Sequence, residues 1–193
     1  MRLQKLNINT RFKNLEGFEI DFSTKEGITV LIGNNGSGKS NILEAISGIF
    51  AGLYDRKYNP TFSYELVYKK DTYKVEVKFN HLTSVYEFKI NDVVDNLKPE
   101  HLPSQVISSY SGEESRLWDK YYWPFYEEYI KAIRGATLPN SNLVYINKYY
   151  WNIALLTLHF YDFTVFTDIR DFCLNTLNIA TFNNVKFTFD IPK

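Results

Sequence analysis

The sequence has a single cysteine and no excess of charge of either sign. Cys173 alone excludes an internal disulfide and is typical of a protein kept in a reducing cytoplasm. Lysine and arginine together number 22, as do aspartate and glutamate, so the composition gives no support for a strongly basic nucleic-acid surface. The most apolar run, residues 153–160, is too short to span a bilayer. We therefore expect a soluble cytoplasmic protein with no membrane partner.

Histidine is also scarce, which argues against a metal centre. Of the three histidines, His81 and His101 are isolated, and His159 lies in an apolar stretch typical of a packed core residue. With one cysteine, no cluster of metal-ligand spacing exists. Hydrophobic residues make up 45% of the chain and aromatic residues 17%. A chain of 193 residues with this composition is long enough to bury a hydrophobic core.

The most informative stretch is Gly33–Ser40, which has the spacing G-x-x-x-x-G-K-S of a phosphate-binding P-loop. The apolar run 28–32 precedes it and predicts a strand. Residues from Lys39 to about Tyr54 follow it with apolar side chains at helical spacing. Strand, glycine-rich loop and helix in this order predict a nucleotide-binding site, formed by Asn34, Asn35, Gly36, Ser37, Gly38, Lys39, Ser40 and Asn41.

Each position of this motif has a chemical reason. Glycines at 33, 36 and 38, with asparagines between them, allow the left-handed conformations that aim backbone N–H groups at a phosphate. Lys39 is expected to reach the β- and γ-phosphates, and the Ser40 hydroxyl to ligate Mg²⁺. The simpler alternative is a glycine-rich turn that caps an ordinary helix, but such a turn requires neither Lys39 nor Ser40.

The periodicity of the remaining chain changes along its length. Alternation of apolar and polar residues between 61 and 94 predicts an antiparallel sheet with turns at Lys70-Asp71 and Asn91-Asp92. We divide the chain into a P-loop core (1–58), an antiparallel β-subdomain (59–98) and a helical region with a final strand (99–193). The further elements expected are strands at 2–8, 17–22, 105–110 (buried) and 185–190, and helices at 113–134 (broken at Pro124), from 147 through His159, and at 167–177.

The residues around the P-loop resemble one family. Two opening strands, the intervening Arg11-Phe12-Lys13-Asn14-Leu15, and Asn41-Ile42-Leu43-Glu44-Ala45-Ile46 after the motif are similar to the N-terminal half of the SMC/RecF-like ABC-type ATPases. The resemblance implies an α/β P-loop NTPase head lobe, with a mixed sheet around the P-loop helix, an antiparallel β-subdomain and a helical part. It further implies ATP and Mg²⁺ as cofactors, with Arg11 or Lys13 near the phosphates.

The partners implied by this resemblance are a second head, in a homodimer that clamps ATP, and DNA. A Tyr-Ser-Gly-Glu stretch at residues 110–113 also resembles the ATPases found beside bacterial restriction and anti-phage systems, which implies a defence-system partner protein. DNA as a partner rests on resemblance alone, since the charge does not argue for it.

Several parts of the family's catalytic machinery do not occur in this chain. No glutamine follows the strand at 105–110; either Tyr110, Ser111 or Glu113 takes its place, or Ser111 and the acidic pair cap the next helix. The nearest approach to an Asp-Glu strand end is residues 165–168, where Ile169 stands in place of the glutamate, and nothing resembles a Leu-Ser-Gly-Gly signature. The catalytic residues are therefore unassigned, and hydrolysis is expected only if a second lobe completes the site.

Two alternatives to an ABC-type lobe remain. A self-contained P-loop kinase or phosphotransferase would need an arginine-rich lid, and the six arginines here include no clustered pair. The other alternative is a nucleotide-binding scaffold without turnover, in which the loop is vestigial. In such a scaffold, Lys39→Ala would leave nucleotide affinity unchanged.

Overall fold

The structure, a computed structural model, describes residues 1–23, 28–109, 115–135, 141–146 and 166–180. The chain divides into two compact units, Met1–Tyr145 and Ile146–Lys193. Helices and strands are both present, and the α/β class is confirmed. In the described part of the chain, no helix is long and apolar enough to cross a membrane.

The first unit is built on a six-stranded sheet in the order β2-β1-β3-β4-β5-β6. Every pairing in it is antiparallel, and β1 pairs with β3. The strands between residues 59 and 98 therefore lie in the same sheet as the two opening strands. The strands are β1 (Arg2–Ile8), β2 (Phe18–Asp21), β3 (Tyr64–Lys70), β4 (Tyr73–Asn80), β5 (Val85–Ile90) and β6 (Val93–Val94).

One face of this sheet forms the core. Alternate residues of β1, β3 and β4 are buried, as the period-two pattern predicts. The pairing of β1 with β3 has one irregularity, a register shift between Leu3 and Lys5. The hairpin turns use Asp71, Asn91 and Asp92 at positive φ, which asparagine and aspartate tolerate better than most residues.

Helix α1 (Lys39–Tyr54) packs on the buried face of the sheet. Its bounds confirm the predicted helix. Ala45, Ile49 and Phe50 have no exposed surface, and the Phe50 ring lies 6.0 Å from the ring of Tyr68 on β3. Apolar burial on this stripe holds the helix, and therefore the loop before it, at a fixed place over the sheet.

The strand predicted directly before the P-loop is not formed. Residues 28–32 have no regular secondary structure, and Ile28, Val30 and Ile32 are 80%, 73% and 92% exposed. Leu31 alone is partly buried against the core. No described strand pairs with this segment, so its apolar side chains, apart from Leu31, are left in solvent.

A smaller sheet and a helix complete the first unit. Strands β7 (Val106–Ser109) and β8 (Leu143–Ile146) pair with each other. The prediction that the first of these is buried was wrong: Ile107 is 60% exposed, and the strand alternates partly buried and exposed residues. A π-helical turn, Trp118–Tyr122, leads into α2 (Trp123–Arg134), whose C-cap is Gly135.

The change from π to α geometry occurs between Tyr122 and Trp123, directly before Pro124, where the sequence predicts a break. Proline lacks the N–H that would continue the hydrogen bonds of the preceding turn. Leu117, Tyr121 and Tyr122 are buried and belong to the hydrophobic core.

In the second unit, the structure describes a short helix α3 (Thr167–Asp171) and a π-helical turn, Phe172–Thr176, in which Cys173 is buried. They occupy the helix predicted at 167–177. The helix predicted from Asn147 and the strand predicted at 185–190 lie outside the described residues, as do Tyr110, Ser111 and Glu113.

Candidate nucleotide-binding site

The P-loop has its left-handed residues at two glycines. Gly36 has φ 83° and Gly38 has φ 94°, whereas Gly33, Asn34 and Asn35 do not adopt positive φ. The Ser37 N–H donates to the Asn34 carbonyl at 3.1 Å, which closes a turn within the loop. The conformational freedom predicted for the motif is therefore used at 36 and 38, the residues that reverse the chain and open α1.

Lys39 lies with its ammonium inside the loop. Its Nζ donates to the carbonyl oxygens of Gly33 (2.6 Å) and Asn34 (2.8 Å) and lies 3.4 Å from Ser37 Oγ. These acceptors are uncharged, so the full positive charge of Lys39 is concentrated at the loop. An anion that enters here meets an ammonium already directed into the loop.

The N-terminus of α1 adds a second source of positive potential. The first turn contains no acidic residue, and the N-cap Gly38 makes no side-chain cap. The N–H groups of a first helical turn have no acceptor within the helix, and the helix dipole makes this end favourable for a phosphate. The exposed Ser40 hydroxyl belongs to the same turn. Of the motif residues predicted to bind a nucleotide, those at 34–37 and Ser40 are exposed, Lys39 and Asn41 are partly exposed, and Gly38 is buried.

A short turn from the N-terminal segment also contacts the P-loop. Phe12 and Leu15 exchange two backbone hydrogen bonds of 2.8 Å, and Lys13 and Asn14 form the turn between them. The Asn14 side chain donates through Nδ2 to the Gly36 carbonyl (3.3 Å) and accepts at Oδ1 from Asn41 Nδ2 (2.6 Å). Sequence reasoning missed Asn14, since neither periodicity nor the motif marks it.

The two basic residues of this turn region have partners in the structure. The Lys13 ammonium pairs with Glu44 of α1, a carboxylate that is 6% exposed, and lies 5.7 Å from the Phe12 ring centroid. Arg11 Nε donates to the Lys13 carbonyl at 3.4 Å. A role for Arg11 or Lys13 at the phosphates stays a prediction; Lys13 would have to share its charge between Glu44 and the ligand.

Glu44 has a further neighbour on the helical side. Burial raises the pKa of the Tyr121 phenol well above its usual range, and the nearby Glu44 carboxylate raises it further. Tyr121 therefore stays neutral at physiological pH, and Lys13 is the charged partner that compensates the buried carboxylate.

Gln105, the glutamine at the start of β7, has a structural contact. Its Nε2 donates to the Ser141 carbonyl at 3.1 Å, next to the bond from the Val106 N–H to the Asn142 carbonyl at 2.8 Å. It holds β7 to the segment before β8. Among the described residues, no group of three or more histidine, cysteine, aspartate or glutamate side chains could hold a metal ion.

Comparison with known proteins assigns this architecture to a family. The AAA domain family matches residues 7–145, which include the P-loop, strands β2 to β7 and helices α1 and α2. A DNA double-strand break repair Rad50 ATPase of Methanosarcina acetivorans is 34% identical over 90 residues, or 45% of this chain and 8% of that protein.

Two further relatives extend the comparison. A DNA replication and repair protein RecF of Clostridioides difficile is 24% identical over 223 aligned residues, covering 100% of this chain and 58% of that protein. A Retron Ec83 probable ATPase of Escherichia coli is 57% identical over 37 residues, or 18% of this chain and 7% of that protein. The chain spans 58% or less of the length of these curated relatives.

Proposed function

We propose, since this chain belongs to the AAA domain family, that its P-loop binds the triphosphate of ATP and that it acts as one lobe of an SMC/RecF-like ATPase. The observation that carries the proposal is the position of Lys39 Nζ within the loop, 2.6 and 2.8 Å from two loop carbonyls at the N-terminus of α1. A phosphate oxygen can replace these carbonyls as acceptor, and the exchange gains a charge-assisted hydrogen bond.

The donor set fits a magnesium nucleotide. Loop and first-turn N–H groups and Lys39 would hold the phosphates, and the exposed Ser40 hydroxyl would ligate Mg²⁺. When bound, the metal ion would neutralise charge on the β- and γ-phosphates. Asn34, Asn35, Ser37 and Asn41 complete the proposed contact set.

Hydrolysis is proposed to require a second lobe. The exposed row of Ile28, Val30 and Ile32, directly before the loop, supports this, because a further strand would cover these side chains and satisfy the backbone of the segment. Acidic groups that polarise water would then come from outside the described residues. We expect the present chain alone to bind ATP weakly and to hydrolyse it negligibly.

The assembly and pathway are proposed from the relatives. Rad50 and RecF are named for DNA repair and replication, and the third relative is named as the probable ATPase of a retron. We propose that two heads come together around ATP in the complete protein, in the cytoplasm, to drive a DNA-related or phage-defence process. The choice of partner would depend on the whole protein and not on this lobe alone.

Lys39→Ala tests the nucleotide site directly. Hydrogen bonds from a charged donor contribute about 1.5–3 kcal/mol, so affinity for Mg-ATP should fall by roughly ten- to a hundredfold. Titration with a fluorescent ATP analogue, displaced by ATP, measures the dissociation constant, and phosphate release measures hydrolysis.

The matched control is Lys89→Ala, an exposed lysine on β5. It should leave affinity within about twofold of the unaltered chain, a difference of roughly 0.4 kcal/mol. Equal affinities for the unaltered chain and Lys39→Ala would refute the proposal, and strong hydrolysis by the isolated chain would refute the need for a second lobe.

A further inference from the structure

The turn Phe12–Leu15, here named the anchor turn, is fixed to the core at both ends. Phe12 is 5% exposed and Leu15 is 3% exposed, and the Phe12 ring lies 4.5 Å from the ring of Phe62. Its two reciprocal backbone hydrogen bonds of 2.8 Å leave little freedom between these residues. The two side chains at its tip, Lys13 and Asn14, are thus presented from a rigid base.

The tip itself has a conformation that is uncommon for its residue type. Lys13 has φ 55°, which costs a non-glycine residue on the order of 1 kcal/mol. This conformation directs the Lys13 ammonium to Glu44 of α1. The pairing holds the anchor turn against the first helical turns after the P-loop.

The Asn14 carboxamide contacts the P-loop itself. A backbone carbonyl can only accept, so the Gly36 oxygen fixes the amide with Nδ2 towards the loop and Oδ1 towards Asn41. The Gly36–Ser37 peptide is then held on both sides, since the Ser37 N–H donates to the Asn34 carbonyl. A planar peptide held at both its carbonyl and its N–H cannot rotate freely.

The same side chain limits the space at Gly38. A Cβ at Gly38 would lie 2.9 Å from Asn14 Nδ2 and 3.2 Å from Leu15 Cδ2. The second left-handed glycine of the loop is therefore buried against the anchor turn. One asparagine therefore contacts the second half of the loop at Gly36 and Gly38 and the start of α1 at Asn41.

We infer that Asn14 is a positioning residue that pre-organises the P-loop for a triphosphate, with the anchor turn as its rigid support. The inference rests on the proposed nucleotide site and adds a residue outside the motif to it. Pre-organisation raises affinity because the loop does not have to be ordered when the ligand binds. Asn14 acts through the loop backbone and needs no contact with the nucleotide.

Asn14→Ala should weaken Mg-ATP binding by about tenfold, which is the effect of roughly 1.4 kcal/mol. The side chain is exposed, so its removal creates no core cavity, and the melting temperature without nucleotide should shift by less than about 3 °C. Inorganic tripolyphosphate, used as a competitor, should lose affinity in the same ratio, because the effect lies in the phosphate cradle. Asn96→Ala, an exposed asparagine after β6, is the matched control and should bind as the unaltered chain does.

A double-mutant cycle with Asn41→Ala measures the coupling between the two side chains. Asn41→Ala should weaken binding about fourfold, and the double variant should fall short of the product of the two single effects, because the hydrogen bond from Asn41 Nδ2 to Asn14 Oδ1 is already lost in each single variant. Independent contacts would instead multiply to roughly fortyfold. Such multiplication, or unaltered affinity in Asn14→Ala, would overturn the inference.

The outcomes distinguish this inference from the proposed function. If the unaltered chain binds no nucleotide, the nucleotide site itself fails. If Lys39→Ala loses binding while Asn14→Ala keeps it, only the positioning role fails. Should Asn14→Ala not fold, Asn14→Leu, which keeps the size of the side chain and removes both of its hydrogen bonds, takes its place, and unchanged affinity there overturns the inference.

Discussion

Two tyrosines of β3 differ in what their hydroxyl groups contact. Tyr64 and Tyr68 lie on the same face and have no exposed surface. The Tyr68 hydroxyl donates to the His101 carbonyl at 3.1 Å, whereas the Tyr64 oxygen has no hydrogen-bond partner of good geometry among the described residues. Burial raises the pKa of both phenols, and the neighbouring Tyr86 phenol raises that of Tyr64 further. Equal burial therefore does not mean equal stabilisation.

Phenylalanine substitutions should reveal this difference. Tyr68→Phe removes a donor and leaves a buried carbonyl without it, so the free energy of unfolding should fall by about 1–2 kcal/mol. Tyr64→Phe removes a polar atom that gains little from the fold, and the change should lie between zero and about 1 kcal/mol of stabilisation. Urea unfolding of both variants measures the two values. A larger loss for Tyr64→Phe than for Tyr68→Phe would contradict this account.

Helix α1 shows how an element depends on small residues for its packing. Gly48 and Gly52 weaken the helical pattern of the sequence, yet the helix continues to Tyr54. A Cβ at Gly48 would lie 2.8 Å from Tyr121 Cε1, and one at Gly52 would lie 2.9 Å from Pro60 Cδ. Both glycines let a neighbouring segment approach the helix, and Tyr122 reaches Ser47 Oγ at 3.0 Å on the same side.

Gly48→Ala should therefore destabilise the protein although alanine is the better helix former. Overpacking against the buried Tyr121 ring costs about 1–3 kcal/mol, and the gain in helix propensity offsets about 1 kcal/mol of it. A net loss of up to about 2 kcal/mol in the free energy of unfolding is expected from denaturant titration. Gly135→Ala is the comparison, since the nearest atom to its Cβ is 3.4 Å away. Equal behaviour of the two variants would refute the packing role of Gly48.

The first unit buries several tyrosine phenol groups. Desolvation by burial raises the pKa of Tyr54, Tyr64, Tyr68, Tyr121 and Tyr122. In the unfolded chain the same groups lose their protons near the usual pKa of about 10. Above that pH the folded state binds more protons than the unfolded state, so stability must fall as pH rises.

Alkaline titration tests this at the scale of the molecule. Stability should be independent of these groups below about pH 9 and should decrease steeply above about pH 10. After a rapid jump to alkaline pH, the absorbance of tyrosinate should show a fast phase from exposed tyrosines and a slow phase that coincides with unfolding. In denaturant all tyrosines should ionise in the fast phase. A single fast phase in the folded protein would contradict the burial described here.

The sequence by itself determined the parts that depend on local spacing. The motif Gly33–Ser40 identifies the P-loop, the apolar stripe predicts α1 at its observed bounds, and alternation predicts β1 and the hairpins of β3–β5. Local rules suffice there, because helical stripes, strand alternation and turn residues act over a few neighbours. The break at Pro124 follows for the same reason.

Only the tertiary structure decided which distant residues meet. The prediction of a strand at 28–32 was wrong because a strand forms only when another strand pairs with it. The sequence of the segment alone does not determine whether such a partner is present. Asn14 reaches Gly36 because β1, β2 and α1 pack on one core, and Lys13 finds Glu44 for the same reason. Spacing along the chain is enough to identify a P-loop, but the contacts that hold this loop in place come from elements far apart in sequence.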